Sequence, residues 1–156
     1  MNSMSIVKRI EELGLQLPEA PSPVANYIPA IVVGNEIRTS GQIPMVCGEL
    51  LYKGPVPSAQ SIENAAEAAK CCGLNAIAAA GAVAGGVDSI CGVLQIRVCI
   101  ASDAGFEGHA TIANGVSDLM VAIFGDEGKH TRVAMGSIGL PLGATVEVET
   151  VFFLAE

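Results

Sequence analysis

The run from residue 61 to 85, SIENAAEAAKCCGLNAIAAAGAVAG, narrows the choice of fold more than any other part of this chain. Alanine and leucine give it strong helical propensity over several turns. Ile62, Ala65, Ala66, Ala69 and the Cys72/Gly73 pair recur at three-four spacing, so one face of the predicted helix is apolar and built of small side chains. Such a face lets a helix lie close against a sheet. Residues 90–100 supply a matching strand by alternation. Ile90, Leu94, Ile96, Val98 and Ile100 point one way, and Cys91, Val93, Gln95, Arg97 and Cys99 point the other. The second face is only partly polar, which predicts that another subunit covers it.

The remaining segments fill in a sheet with helices on one face. Residues 5–13 carry Ile6, Ile10 and Leu13 at helical spacing and stop at Gly14. The stretch LPEAPSPVANY has three prolines and reads as a linker laid over the surface. Residues 28–33 and 36–43 flank the turn dipeptide Gly34-Asn35, which predicts a hairpin. Residues 44–60 read as turn-rich loop. A second long helix is predicted over 111–124 from Ile112, Val116, Leu119, Met120 and Ile123, ending at Gly125. Two further strands, 132–138 and 145–154, surround the turn GLPLGA. The order is helix, two strands, helix, strand, helix, two strands, which implies an α+β layer.

At 156 residues the chain has the usual size of one domain, with 1–23 as leading helix and linker and 24–154 as core. Hydrophobic residues make up 51%, charged residues only 15%, and the mean hydropathy is +0.51. A soluble chain of that kind must hide apolar surface, and self-association is the ordinary way to do so. The net charge of −8 and the eight scattered Lys and Arg residues argue against nucleic acid as a partner, because phosphate binding depends on clustered cations. Five cysteines, without a CxxC pair, are read as reduced and mostly buried thiols. The opening MNSMSIVKRI lacks the apolar run of an export signal, and no segment approaches the ~18 apolar residues of a membrane span. A cytoplasmic protein without a membrane partner is the expectation.

Several chemistries are excluded by motif. The sequence has no GxxxxGK[ST], no GxGxxG after a strand, no HExxH and no GxSxG. His109 and His130 have no acidic or thiol partner at ligand spacing, so no metal is expected, and His130 is read as shaping the entry to the next strand. Arg132 stands out instead. It opens the small and apolar run VAMGSIG, where a guanidinium is costly unless it meets an anion, either a structural carboxylate or a ligand's. Glu147 and Glu149 share one face of a strand by alternation. The plain reading makes both solvent-facing residues of an edge strand, although Glu147, next to the turn, is better placed at a site mouth. Tyr27 precedes the first strand and by itself reads as packing.

In TSGQIP, at 39–44, and in TRVAMGSIGLPLGATVEVE, at 131–149, the sequence resembles the two signature regions of the Rid family, the reactive intermediate deaminases, also called YjgF-like. The Tyr27-to-Pro44 spacing, the VGNEI turn and Asn114-Gly115 fall in the family's positions, and the resemblance covers about residues 24–154. The N-terminal helix and FGDEGKHTR look like a longer branch. The resemblance implies a chorismate-mutase-like α+β fold, a homotrimer and clefts between neighbouring subunits. It implies that Arg132 pairs with a substrate carboxylate, that Glu147 positions a water, that Tyr27 lines the cleft, and that Ser40 and Gly41 form its backbone wall. Asn114 matches an asparagine common on the second helix. Ala134 stands where several members have cysteine, and Asn26 where many have proline. The implied activity is hydrolysis of a reactive 2-enamine or 2-imine carboxylate to a 2-keto acid and ammonia, without cofactor or metal. The alternative is a trimer that binds a small carboxylate without turning it over.

Overall fold

The computed structural model describes residues 5–22 and 25–156; Pro23 and Val24, within the proline-rich linker and at the expected start of the core, lie outside the described residues. The chain runs α1 (Ile6–Glu12), β1 (Ala30–Val33), β2 (Glu36–Thr39), β3 (Met45–Val46), β4 (Glu49–Leu50), α2 (Ile62–Ala84), β5 (Ile90–Ala101), α3 (His109–Phe124), β6 (Thr131–Ser137) and β7 (Val146–Leu154). Five strands form one mixed sheet in the order β1-β2-β7-β5-β6, and β3 and β4 form a separate small hairpin. All neighbours in the main sheet are antiparallel except β5 and β6. This is the α+β layer that the sequence predicts. No helix among the described residues is long and apolar enough to cross a membrane.

Local chemistry explains the helix boundaries. Ser61 caps α2 by accepting from the Asn64 amide at 3.0 Å, and Gly85 closes it in the left-handed conformation at φ +80°. The small face of α2 lets it approach both the sheet and α3. At Gly115 the two helices reach backbone contact: a Cβ there would run into the Ala66 carbonyl, whose carbon would lie 2.8 Å away. Ser5 caps α1, and Arg9 Nε donates to the Ala122 carbonyl at 2.8 Å, which fastens α1 to α3.

Both long helices pack on one sheet face. Ile37, Ile96, Val98, Ile100, Val146, Val148 and Phe152 are fully buried there. The opposite face is bare in the single chain and mixes charge with apolar surface: Arg38, Arg97 and Glu149 beside exposed Ile31, Val33, Val133 and Met135.

Three expectations are corrected. In β5 the alternation fails between Ile90 and Gln95, because two register shifts against β7 interrupt it. Val93 turns into the core at 2% exposure and Leu94 turns out at 40%, the reverse of strict alternation. The strand carrying Glu147 and Glu149 is no edge strand; β7 lies between β2 and β5. Of the five free cysteines only Cys72 is fully buried. Cys47 is exposed in the β3-β4 turn at φ +50°, and Cys91 is exposed at the first register shift.

Candidate functional site

The site residues named from the sequence fall into two groups. Arg132 is the second residue of β6 and pairs with Ile96, so its side chain lies on the helix-covered face, beside α3. It is half-buried. Nη1 donates to Asn114 Oδ1 at 2.8 Å and to Ser117 Oγ at 3.1 Å, and Nη2 reaches the Ala110 carbonyl at 3.5 Å. All three acceptors are neutral. Among the described residues Arg132 has no carboxylate partner, so of the two anions considered from the sequence the structural carboxylate is not found there.

Ser117 escaped the sequence reading, although it follows Asn114 at helical i, i+3 spacing and so shares its face. Its environment fixes its polarity. His130 Nδ1 lies 2.6 Å from the Gly128 carbonyl, which can only accept, so Nδ1 carries the proton. In the neutral ring Nε2 then accepts from Ser117 at 2.9 Å, which leaves the Ser117 oxygen lone pairs facing Arg132. His130 therefore shapes the entry to β6, as its position suggested. Ala134 follows on the same side of β6, paired with Val98, and is half-buried. His109 meets Ser102 Oγ at 3.2 Å, and no three His, Cys, Asp or Glu side chains converge as a metal site would require among the described residues.

The second group lies around Gly41. After β2 the chain leaves the ladder at Ser40 and Gly41 and rejoins it at Gln42, which exchanges backbone hydrogen bonds with Val148 at 2.8 and 2.9 Å. Ser40 Oγ donates to the Ile28 carbonyl at 2.6 Å and its amide to Pro29, which holds the strand entry near Tyr27. Gly41 is bare because the Glu147 carboxylate occupies the place of a Cβ; the Glu147 Cδ would lie 2.8 Å from it. Glu147 is half-buried and pairs with Cys99 on the open face of the sheet. Burial, and then the Glu149 carboxylate, raise its carboxyl above the usual glutamate range. Tyr27 is 46% exposed and, together with Gly41, lines a cavity of about 770 Å³.

One copy therefore unites Arg132, Asn114 and Ala134, and separately Tyr27, Ser40, Gly41 and Glu147, but does not bring the two groups together. The first holds a cation aimed by neutral oxygens. The second holds a carboxylate with raised proton affinity beside open backbone.

Comparison with known proteins covers nearly the whole chain. Residues 7–156 match the family model described as "YjgF/chorismate_mutase-like, putative endoribonuclease". Protein TCP17 of Trypanosoma cruzi is 32% identical over 145 residues, 92% of this chain and 91% of that protein. Protein Atu1372 of Agrobacterium tumefaciens, of unknown function, superposes with a TM-score of 0.88 at 33% identity, over 97% of this chain and 94% of that one. The "putative endoribonuclease" of Shewanella oneidensis MR-1 superposes with a TM-score of 0.92 at 29% identity, over 96% and 99%.

Proposed function

The chain belongs to the YjgF/chorismate-mutase-like family, and from that premise we propose that it is a homotrimeric deaminase that hydrolyses 2-imino or 2-enamino carboxylates to 2-keto acids and ammonia. The observation that carries this reading is the half-buried Arg132, held in place by Asn114 and Ser117 yet left without an anion among the described residues. A planar guanidinium with one edge fixed presents its free N–H groups to a ligand carboxylate. Glu147 stands on the opposite sheet face, so the pair meets only where one subunit's β6 and α3 approach another subunit's Gly41 and Glu147. The bare, partly apolar sheet face provides surface for that association.

In the cleft, Arg132 holds the carboxylate and a water lies against Glu147. Water oxygen attacks C2 of the imine, and Glu147 takes its proton. The adduct receives that proton on nitrogen to give the carbinolamine; its hydroxyl proton then passes through Glu147 to the nitrogen, the C2–N bond breaks, and ammonia leaves as C2 and oxygen form the ketone. One water is consumed and one ammonia released. Hydrolysis of this kind calls for no cofactor. The raised proton affinity of Glu147 suits it to accept and return a proton. The endoribonuclease activity proposed for relatives is disfavoured here by the net charge of −8, since RNA binding depends on cationic surface.

The test is turnover of 2-iminobutyrate or 2-iminopropionate generated in situ. A deaminase accelerates release of keto acid over the uncatalysed rate. A protein that binds 2-ketobutyrate but leaves that rate unchanged is a carboxylate-binding trimer instead.

A further inference from the structure

The cavity of about 770 Å³ is far larger than a three-carbon acid requires and matches the volumes that enclose drug-sized ligands. One wall is the segment 16–22 that follows the N-terminal helix, through Leu17 and Pro21; the opposite wall is α2, through Cys71 and Leu74. Its lining is predominantly apolar, and burial pushes the Cys71 thiol up to about 11, so that group is neutral at physiological pH. Asn75, the most buried polar residue of the wall, spends both amide protons on the Ile43 and Met45 carbonyls at 3.1 and 3.0 Å. The cavity extends to Tyr27 and Gly41, and Gly41 is the residue against which the Glu147 carboxylate rests.

We propose that this cavity receives the substrate's side chain, so that the substrates are 2-imino acids with a bulky apolar side chain, aromatic or branched aliphatic. The inference rests on the deaminase reading and gives the N-terminal segment a role: it closes the pocket that selects the side chain. With the carboxylate on Arg132 of one subunit and C2 beside Glu147 of its neighbour, the side chain continues past Gly41 into apolar surroundings. Each additional methylene then leaves water.

The experiment generates imines from alanine, leucine and phenylalanine with an amino-acid oxidase and follows keto-acid release. Phenylpyruvate and pyruvate are titrated in parallel by calorimetry. For the wild type, kcat/KM for the phenylalanine-derived imine is expected to exceed that for the alanine-derived one by about tenfold or more, the scale on which apolar pockets discriminate. Leu74→Trp fills the cavity and is expected to lower kcat/KM for the phenylalanine-derived imine more than for the alanine-derived one, and so to abolish this preference. Leu17→Ala, on the other wall, removes contacts without adding bulk and keeps the test usable should Leu74→Trp fail to fold; it is expected to reduce the preference. Equal rates for the three imines, or an unchanged ratio in folded variants, overturn the proposal. If no imine is turned over, the deaminase reading fails and calorimetry decides for the cavity: tighter phenylpyruvate binding that Leu74→Trp or Leu17→Ala weakens supports it, and equal binding of the two keto acids overturns it.

Discussion

Arg132 and Glu147 project from opposite faces of one sheet: Arg132 shares the helix-covered face with its partner Ile96, and Glu147 shares the open face with its partner Cys99. A cleft that uses both residues must draw them from two copies. Arg132→Lys and Glu147→Gln subunits, each inactive alone, are therefore expected to regain activity when co-expressed. With random assembly of a closed ring, about a quarter of the clefts carry both native residues. Sedimentation should report a trimer for each variant and for the mixture. A monomer, or no recovery in mixed trimers, removes the shared cleft.

Glu147→Gln separates catalysis from binding. The amide is nearly isosteric but cannot take a proton. The variant should bind a 2-keto acid about as well as the wild type while imine hydrolysis falls by about 10²-fold or more, the range of general acid-base contributions. Full activity in the variant would assign the proton transfer to another group.

In the proposed cleft Asn114 acts through the arginine. Its 2.8 Å contact with Nη1 is a hydrogen bond to a charged group, worth about 1.5–3 kcal/mol. Asn114→Ala is expected to raise KM about tenfold or more with a smaller change in kcat, since it frees the guanidinium without removing it. Asn114→Asp keeps an acceptor but supplies the anion that Arg132 otherwise lacks, and should not recover the affinity. Arg132→Lys loses the fork geometry itself and should cost about 10²-fold in kcat/KM, the scale of a 1 Å misplacement.

The pH profile follows from the second sheet face. Glu147 must be ionised to accept a proton, and burial followed by the Glu149 carboxylate raises its carboxyl. Activity should therefore decline as pH falls through a value above the usual glutamate range. Glu149→Gln removes the repulsion but leaves the burial, so the acid limb of kcat against pH should move to lower pH without disappearing. An unmoved limb would detach this titration from Glu147.

The sequence carried the elements whose signals are local. The Gly34-Asn35 turn and Gly125 after α3 each act within a few residues, and each stands where expected. The β3-β4 hairpin did not show, because two-residue strands leave no period to count. The face of Val93 and Leu94 was misread because a register shift depends on the partner strand, not on the strand's own alternation. Arg132 was legible as a costly cation in an apolar run, but its neutral partners were not, since Asn114 and Ser117 reach it from another element.

The contact of Gly115 with the Ala66 carbonyl has a genetic consequence. Asn114 precedes Gly115 directly, so the distance between two helix backbones sets where its carboxamide sits. A methyl group at Gly115 would lift α3 from α2 and carry the asparagine with it, away from an arginine anchored in the sheet. A screen of random mutants for loss of function should thus return Gly115→Ala and Gly115→Ser. Those alleles would damage the site from a position that faces the helix pair and touches no ligand.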